Sequence, residues 1–451
     1  MPSNRRRAFI KLLGSASLTL LAGCPDDPAQ NQPVRQSDEL PPSQEPSSTH
    51  TPTQARTDAE SDPTATAEDP SLSDGPGILA EGVWPLPNQG PGAGAYAPSG
   101  VTLDQRPTED WRVTPSVPAA AANDDQSAYL PRFRKPVVAG DRLFAAIQLK
   151  FGTSERPPYA HPVQAYGVDM GDRLWMTLVG NAEERIATRP TRPAVSDGLV
   201  YVGAGATLHA LNVTDGTTAW TQQFQAEIRA VLPSPDRMYV LTREDLHALA
   251  GPDDVAWTAP VQAVQYWHRL ALGPRYLYSL YAGESAMQLV ALEPTTGAVA
   301  WQRTLSTEFT TESRLCAVAG GVLMLPGSGS VLAVTNEGEQ AWRASARYRS
   351  MATDGNRVYL GTTDGQIRAL AVPDGERAWE REYGPNNGIS AALAVTDEAV
   401  YVPIDASGMA AIHPETGDEL WNFVGEAGDL VLGQEQLYKR SEYNNTIGVY
   451  R

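Results

Sequence analysis

Residues 201–220 read YVGAGATLHALNVTDGTTAW, two apolar runs and a tight turn ahead of a tryptophan. The ending of this stretch, a small Ala, a Gly and a Trp at fixed distances (Ala210, Gly216, Trp220), returns along the chain. It recurs as AYGVDMGDRLW (165–175), ALEPTTGAVAW (291–301), ALAVPDGERAW (369–379) and AIHPETGDELW (411–421). Two copies are one residue shorter, ALAGPDDVAW (248–257) and AVTNEGEQAW (333–342). Six of these seven endings place Gly four residues before Trp: Gly171, Gly216, Gly297, Gly338, Gly375 and Gly417; the seventh has Asp253. Asp and Gly ahead of a short apolar run read as a turn entering a strand, because Gly accepts positive φ without steric cost.

Upstream of each ending lies a hairpin with Asp-Gly or a similar pair at its tip, as in PVVAGDRLFAA (136–146), PAVSDGLVYVG (193–203), SMATDGNRVYLG (350–361) and LAVTDEAVYVP (393–403). Looser copies bring the hairpins to eight, against seven Trp endings. The last copy is truncated: TIGVYR (446–451) aligns with TLHALN (207–212), and no turn or Trp follows it. An unused Trp111 sits ahead of the first hairpin, in EDWRV. The economical solution is an all-β, eight-bladed β-propeller in which the N-terminal strand completes the C-terminal unit. Closure removes strand edges that an open array would expose.

The residue types fit that geometry. A Trp on an outer strand offers a flat surface to the next unit, and an opposing Ala leaves room for it. Trp111, Trp175, Trp220, Trp257, Trp301, Trp342, Trp379 and Trp421, with the six turn glycines, are therefore expected to be structural. Losing one buried Trp should cost about 3–5 kcal/mol.

These endings resemble the pyrroloquinoline-quinone-like (PQQ-like) repeat and not the WD40 repeat: the residue after the repeat Trp is never Asp. The resemblance spans roughly residues 84–451, and WPLPNQGPGAGAYAPSG (84–100) looks like the lead-in segment of that family. It implies the propeller fold but two kinds of activity, because the family holds quinone-dependent dehydrogenases as well as non-enzymatic scaffolds such as the BamB lipoprotein. The enzymes of the family imply adjacent cysteines beside the quinone, a Ca²⁺ held by Glu, Asn and Asp, and an Asp base. Here Cys316 is the only cysteine after Cys24. Turns such as VTDG and TTDG also lack the D-x-D-x-D-G ligand spacing. No cofactor and no metal is expected, and a BamB-like protein-interaction scaffold is the leading reading, with an exported quinoprotein oxidoreductase of degenerate site as the alternative.

Other candidates carry less. Cys316, in RLCAVAG, reads as a buried inert thiol. His209 and His247 precede the small Ala of neighbouring repeats and could pair on a metal. The equivalent positions hold Gln164, Val290, Leu332, Arg368 and Ala410, which favours a structural or solvated role. Asn212 and Asn444 lie in glycosylation sequons. The longest insertions, 150–162, 179–192 and 303–314, are the expected partner-binding loops.

Composition bounds the rest. Thirty-five basic residues, only four of them Lys, face 53 acids for a net charge of -18. Such a chain repels a phosphate backbone, which argues against nucleic acid, and it has the acid-rich, Lys-poor surface of halophile proteins. The N-terminus reads RRRAFIKLLGSASLTLLAGC: Arg6 and Arg7 ahead of Ala8-Phe9-Ile10-Lys11 look like a twin-arginine signal, and Leu21-Ala22-Gly23-Cys24 like a lipobox. Residues 1–24 are read as a signal with Cys24 lipidated. Residues 25–77, with ten Pro, eleven acids and no aromatic, are read as a disordered tether of roughly 40 Å reach. The propeller at 78–451 would then sit as a monomer on the extracellular face of the cytoplasmic membrane, bound to an unknown macromolecular partner.

Overall fold

A computed structural model describes residues 97, 103, 105–114, 128–151, 159–180, 189–260, 268–283 and, with short gaps at 284, 307, 311–312, 326–328, 390, 406–407, 424, 426–427, 434 and 442–445, residues 285–451. The signal, Cys24 and the tether lie outside the described residues, as does Asn444. Within the described residues there are 32 strands and no helix.

β1 (Glu109–Val113) precedes the repeats. The first repeat holds β2 (Ala128–Phe133), β3 (Val137–Ala139), β4 (Arg142–Phe151), β5 (Tyr159–Gly167) and β6 (Arg173–Val179). The second is β7 (Ala194–Ser196), β8 (Leu199–Ala204), β9 (Thr207–Asn212) and β10 (Thr218–Gln223); the third is β11 (Ile228–Pro233), β12 (Met238–Thr242), β13 (Asp245–Gly251) and β14 (Asp254–Pro260). The fourth is β15 (His268–Leu272), β16 (Leu277–Ala282), β17 (Met287–Leu292) and β18 (Val299–Thr304). Then come β19 (Arg314–Val318), β20 (Gly321–Leu325), β21 (Gly329–Thr335), β22 (Gln340–Thr353), β23 (Arg357–Thr362), β24 (Gln366–Ala371) and β25 (Arg377–Glu382). The chain ends with β26 (Ala394–Val395), β27 (Val400–Ile404), β28 (Gly408–Ile412), β29 (Glu419–Phe423), β30 (Asp429–Leu432), β31 (Leu437–Arg440) and β32 (Ile447–Tyr450).

Each repeat is an antiparallel sheet with its strands in chain order. β19–β25 form one seven-stranded sheet because β22, 14 residues long, runs on from one repeat into the next. The first repeat gains β2 as an extra strand on β4, which the sequence pattern did not signal. The last sheet, β30-β31-β32, takes β1 as its fourth strand, with Trp111 opposite Val449. Backbone bonds between Thr108 and Arg451 extend that pairing.

Burial follows strand position. β12 (MYVLT) is buried throughout, whereas β14 is buried only at Trp257. The apolar core therefore lies between successive sheets: Phe144 and Trp175 of the first repeat pack with Val200 and Val202 of the second. The first strands of the repeats also lie against one another, β3 by β7, β7 by β11, β11 by β15, β15 by β19, β19 by β22, β22 by β26, β26 by β30 and β30 by β3.

Candidate functional site

The repeat tryptophans stand opposite the small residue of the neighbouring strand, as in Ala165–Trp175, Ala210–Trp220, Ala291–Trp301, Ala369–Trp379 and Ala411–Trp421. A β-bulge accompanies each of these pairs and turns the outer strand towards the next repeat. There the indole N–H donates to a carbonyl in the following turn: Trp111 to Val168 (3.1 Å), Trp175 to Val213 (3.0 Å), Trp257 to Pro294 (3.0 Å), Trp301 to Asn336 (2.6 Å), Trp342 to Val372 (2.6 Å) and Trp379 to Pro414 (2.7 Å). Trp421 donates to Leu103, which stands in for the turn that the last repeat lacks.

The same indole covers the turn glycine. A Cβ on Gly216 would stand 2.5 Å from Trp175 Cε3, and one on Gly375 2.6 Å from Trp342 Cδ2. Both also have positive φ, 71° and 74°. Gly is thus required twice over, by conformation and by the ring above it. Gly171 lies beneath Trp111, Gly297 beneath Trp257, Gly338 beneath Trp301 and Gly417 beneath Trp379.

A second-strand aromatic packs against the tryptophan at seven of the eight junctions, Trp342 with Leu323 in its repeat being the exception, and sequence reading missed it. Tyr239 lies 5.9 Å from Trp257, Tyr359 5.9 Å from Trp379 and Tyr401 6.0 Å from Trp421, centroid to centroid. Tyr239 Oη donates to the Pro294 carbonyl that Trp257 already uses, at 3.3 Å. The signal was available in the recurring apolar-Tyr-apolar triplets of GLVYVG, NRVYLG and EAVYVP.

Trp220 is the exception to the indole bond. It is half-buried, its indole N–H makes no hydrogen bond among the described residues, and the following turn is one of the two short ones, where Asp253 takes φ 58°. A cleft of about 240 Å³ opens there, lined by Trp220, Tyr201, Pro233, Met238 and Pro252 among others.

A wider cleft, about 560 Å³, lies where β1 meets the last sheet. Its wall is aromatic and cationic: Phe423 and Tyr450 stack at 5.9 Å, and the nearly buried Lys439 ammonium sits 4.9 Å from the Tyr450 ring. Arg106 lies 5.8 Å over Phe423. Glu109 is held below the usual carboxylate range, chiefly by its hydrogen bond to Arg112.

The chemistry-bearing candidates are separated. Cys316 is buried and its thiol is pushed up to about 12. His209 Nε2 accepts from Gly180 N (3.1 Å), while His247 Nδ1 faces Thr258 Oγ1 (3.0 Å). Burial lowers both imidazoles. Among the described residues, no three His, Cys, Asp or Glu side chains gather as a metal site. The insertion at 303–314 is not a free loop: Leu305 and Phe309 are buried, and Glu308 is ion-paired with Arg343 and accepts from Ser330 at 2.9 Å. In the other two insertions, 150–151 and 159–162 continue β4 and β5, and 152–158 and 181–188 lie outside the described residues.

A family model described as outer membrane protein assembly factor BamB matches residues 161–338 and 310–428. Among solved structures, BamB from Moraxella catarrhalis is 18% identical over 72% of this chain and 99% of its own, with a TM-score of 0.51. A europium-containing methanol dehydrogenase is 11% identical over 79% of this chain and 89% of its own (TM-score 0.54). A quinohemoprotein alcohol dehydrogenase, ADHIIG from Pseudomonas putida HK5, is 13% identical over 82% and 80% (TM-score 0.55). At these identities the likeness is one of fold, the PQQ-like β-propeller, which scaffolds and enzymes share. No curated protein matches the sequence.

Proposed function

The chain belongs to the family of the outer membrane protein assembly factor BamB, and from that premise we propose that it is a non-catalytic scaffold holding a protein partner on its propeller surface. The observation that carries this reading is the family match across residues 161–428. We read the propeller as eight-bladed and closed. The pairing of β1 with β32 supports this, as do the successive neighbour contacts among the first strands.

The cleft beside Phe423, Tyr450, Arg106 and Lys439 is the proposed contact surface, since aromatic and Arg side chains are favoured anchors at interfaces. Cys24 and the acidic segment after it would present the propeller from the outer face of a membrane, as a lipid-anchored monomer exported by the twin-arginine route.

Pull-down from membranes in concentrated salt tests the scaffold. A partner retained by the wild type and lost from Phe423→Ala and Arg106→Glu is expected. Retention by both variants moves the contact elsewhere, and no retained partner in any salt rejects the reading. Adding quinone and Ca²⁺ to the pure protein is expected to give no cofactor spectrum; dye reduction would favour the oxidoreductase alternative.

A further inference from the structure

Five of the eight first strands carry charge at one shared register position, while the other three hold Ala230, Ser350 and Ala392 there. Counting two residues back from the first-strand residue that faces the second-strand partner (Val137–Phe144, Ala194–Tyr201, Ala271–Tyr278, Cys316–Leu323, Val431–Tyr438) gives Lys135, Arg192, Arg269, Arg314 and Asp429. Four of these five are cations, in a chain whose net charge is -18.

They converge. Arg192 acts on Arg269 and Arg314, although β7 is hydrogen-bonded to neither β15 nor β19. Asp429 in turn acts on Lys135, Arg192 and Arg314. The strands that follow these residues stand next to one another in turn, β30 by β3, β3 by β7, β7 by β11, β11 by β15 and β15 by β19, which brings the charged register positions to one inner face. Asp429 is already engaged: Arg440 Nη2 donates to its Oδ2 at 2.5 Å and Ala392 N to its Oδ1 at 3.4 Å.

Two guanidinium groups remain with open donors. Arg134 Nε is buried without a hydrogen-bond partner among the described residues. Arg192 is exposed and stands at the start of β7, on the inner face where the first strands meet, so it lines the recess that they surround. Lys135, Arg269 and Arg314 engage protein groups and surround that recess with further charge.

We propose that this recess binds a small multivalent oxyanion, held by Arg192 and Arg134 in fork geometry and by the field of Lys135, Arg269 and Arg314. Guanidinium forks match the paired oxygens of phosphate and carboxylate alike. The converged cations repel one another, and an anion among them relieves that repulsion. This site is separate from the partner cleft, so the failure of the pull-down would leave it standing.

Calorimetric titration of the full chain with pyrophosphate and with citrate, at fixed chloride, tests it. Saturable single-site binding is expected, and the tighter arm identifies a phosphate or a carboxylate as the native group. Arg192→Gln should weaken binding about tenfold or more, as loss of a charged hydrogen-bond donor does. Arg377→Gln, exposed on β25, should not change it. Arg134→Gln takes the place of Arg192→Gln if circular dichroism shows the latter unfolded. Absence of saturable binding by either probe, or unweakened binding in the folded Arg variant, overturns the proposal.

Discussion

The two ends of each repeat obey different rules. At the outer end, Ala, Gly and Trp return with little variation, and six of the eight described junctions use the same indole-to-carbonyl bond over a turn glycine, Trp220 and Trp421 being the exceptions. At the inner end, equivalent positions hold Lys135, Arg192, Ala230, Arg269, Arg314, Ser350, Ala392 and Asp429, residues of unlike size and charge. A position filled alike in each repeat answers a packing need that each junction has. A position filled differently answers to something that occurs once in the molecule, and charge there cannot be a packing rule.

The contrast breaks most visibly at the outer end. Trp379→Ala removes a buried ring, its 2.7 Å bond to Pro414 and its contact with Tyr359, and should lower stability by about 3–5 kcal/mol in thermal unfolding. Trp220→Ala should cost roughly half that or less, because the ring is half-buried and its N–H is unbonded among the described residues. Equal losses would show that the regular junctions owe nothing to the bond. Gly375→Ala should follow at roughly 2–3 kcal/mol, the sum of left-handed backbone strain at φ 74° and displacement of the Trp342 ring. Gly140, with φ 58° and nothing within 4 Å of a built Cβ, isolates the backbone part: Gly140→Ala should cost only about 1–2 kcal/mol.

At the inner end the effect is set by pH. Burial opposes the Asp429 charge, but Lys135, Arg440 and Arg192 outweigh it and hold the carboxyl down to about 2, against an ordinary 3.8. A depressed carboxyl gives stability that is fully present above the unfolded value and is lost as pH falls through the folded one. Roughly 2 kcal/mol should therefore disappear between about pH 4 and pH 2. Asp429→Asn should start less stable and show a flatter acid arm. Lys135 gives the opposite wing: burial pushes its ammonium down to about 7 from 10.5, so stability should climb as pH rises through that window in the wild type and not in Lys135→Met.

The sequence makes the outer end legible because spacing alone reports it. A Gly four residues before Trp needs no knowledge of what the ring touches, and the truncated last copy points to β1 as the missing strand. The second-strand tyrosines escaped because an apolar strand with one Tyr looks ordinary until its hydroxyl is seen to share the carbonyl of Pro294 or Pro414. Residues 303–314 read as an insertion because their polarity hides the burial of Leu305 and Phe309. The inner charges escaped for two reasons. The hairpins were bounded at Pro136 and Pro193, one residue past Lys135 and Arg192. Net charge also describes the whole surface, and an excess of 18 negative charges says nothing about a local convergence of cations.

The smallest expected effect sharpens the outer rule at Trp220, where the indole bond is missing. Pro252 and Asp253 form a two-residue loop between Gly251 and Asp254, and Asp253 takes φ 58° where six other repeats use Gly. Asp tolerates that region better than most residues, so the strain is modest, about 1 kcal/mol, and Gly would lose part of the gain to the entropy of the unfolded chain. Asp253→Gly should therefore stabilise by about 0.5 kcal/mol in chemical denaturation. If the missing glycine also keeps Trp220 from seating, the same variant should shift Trp220 emission to the blue as the cleft of about 240 Å³ closes. If stability rises while emission stays put, the length of the turn keeps the junction open, and inserting one residue between Pro252 and Asp253 should then close it.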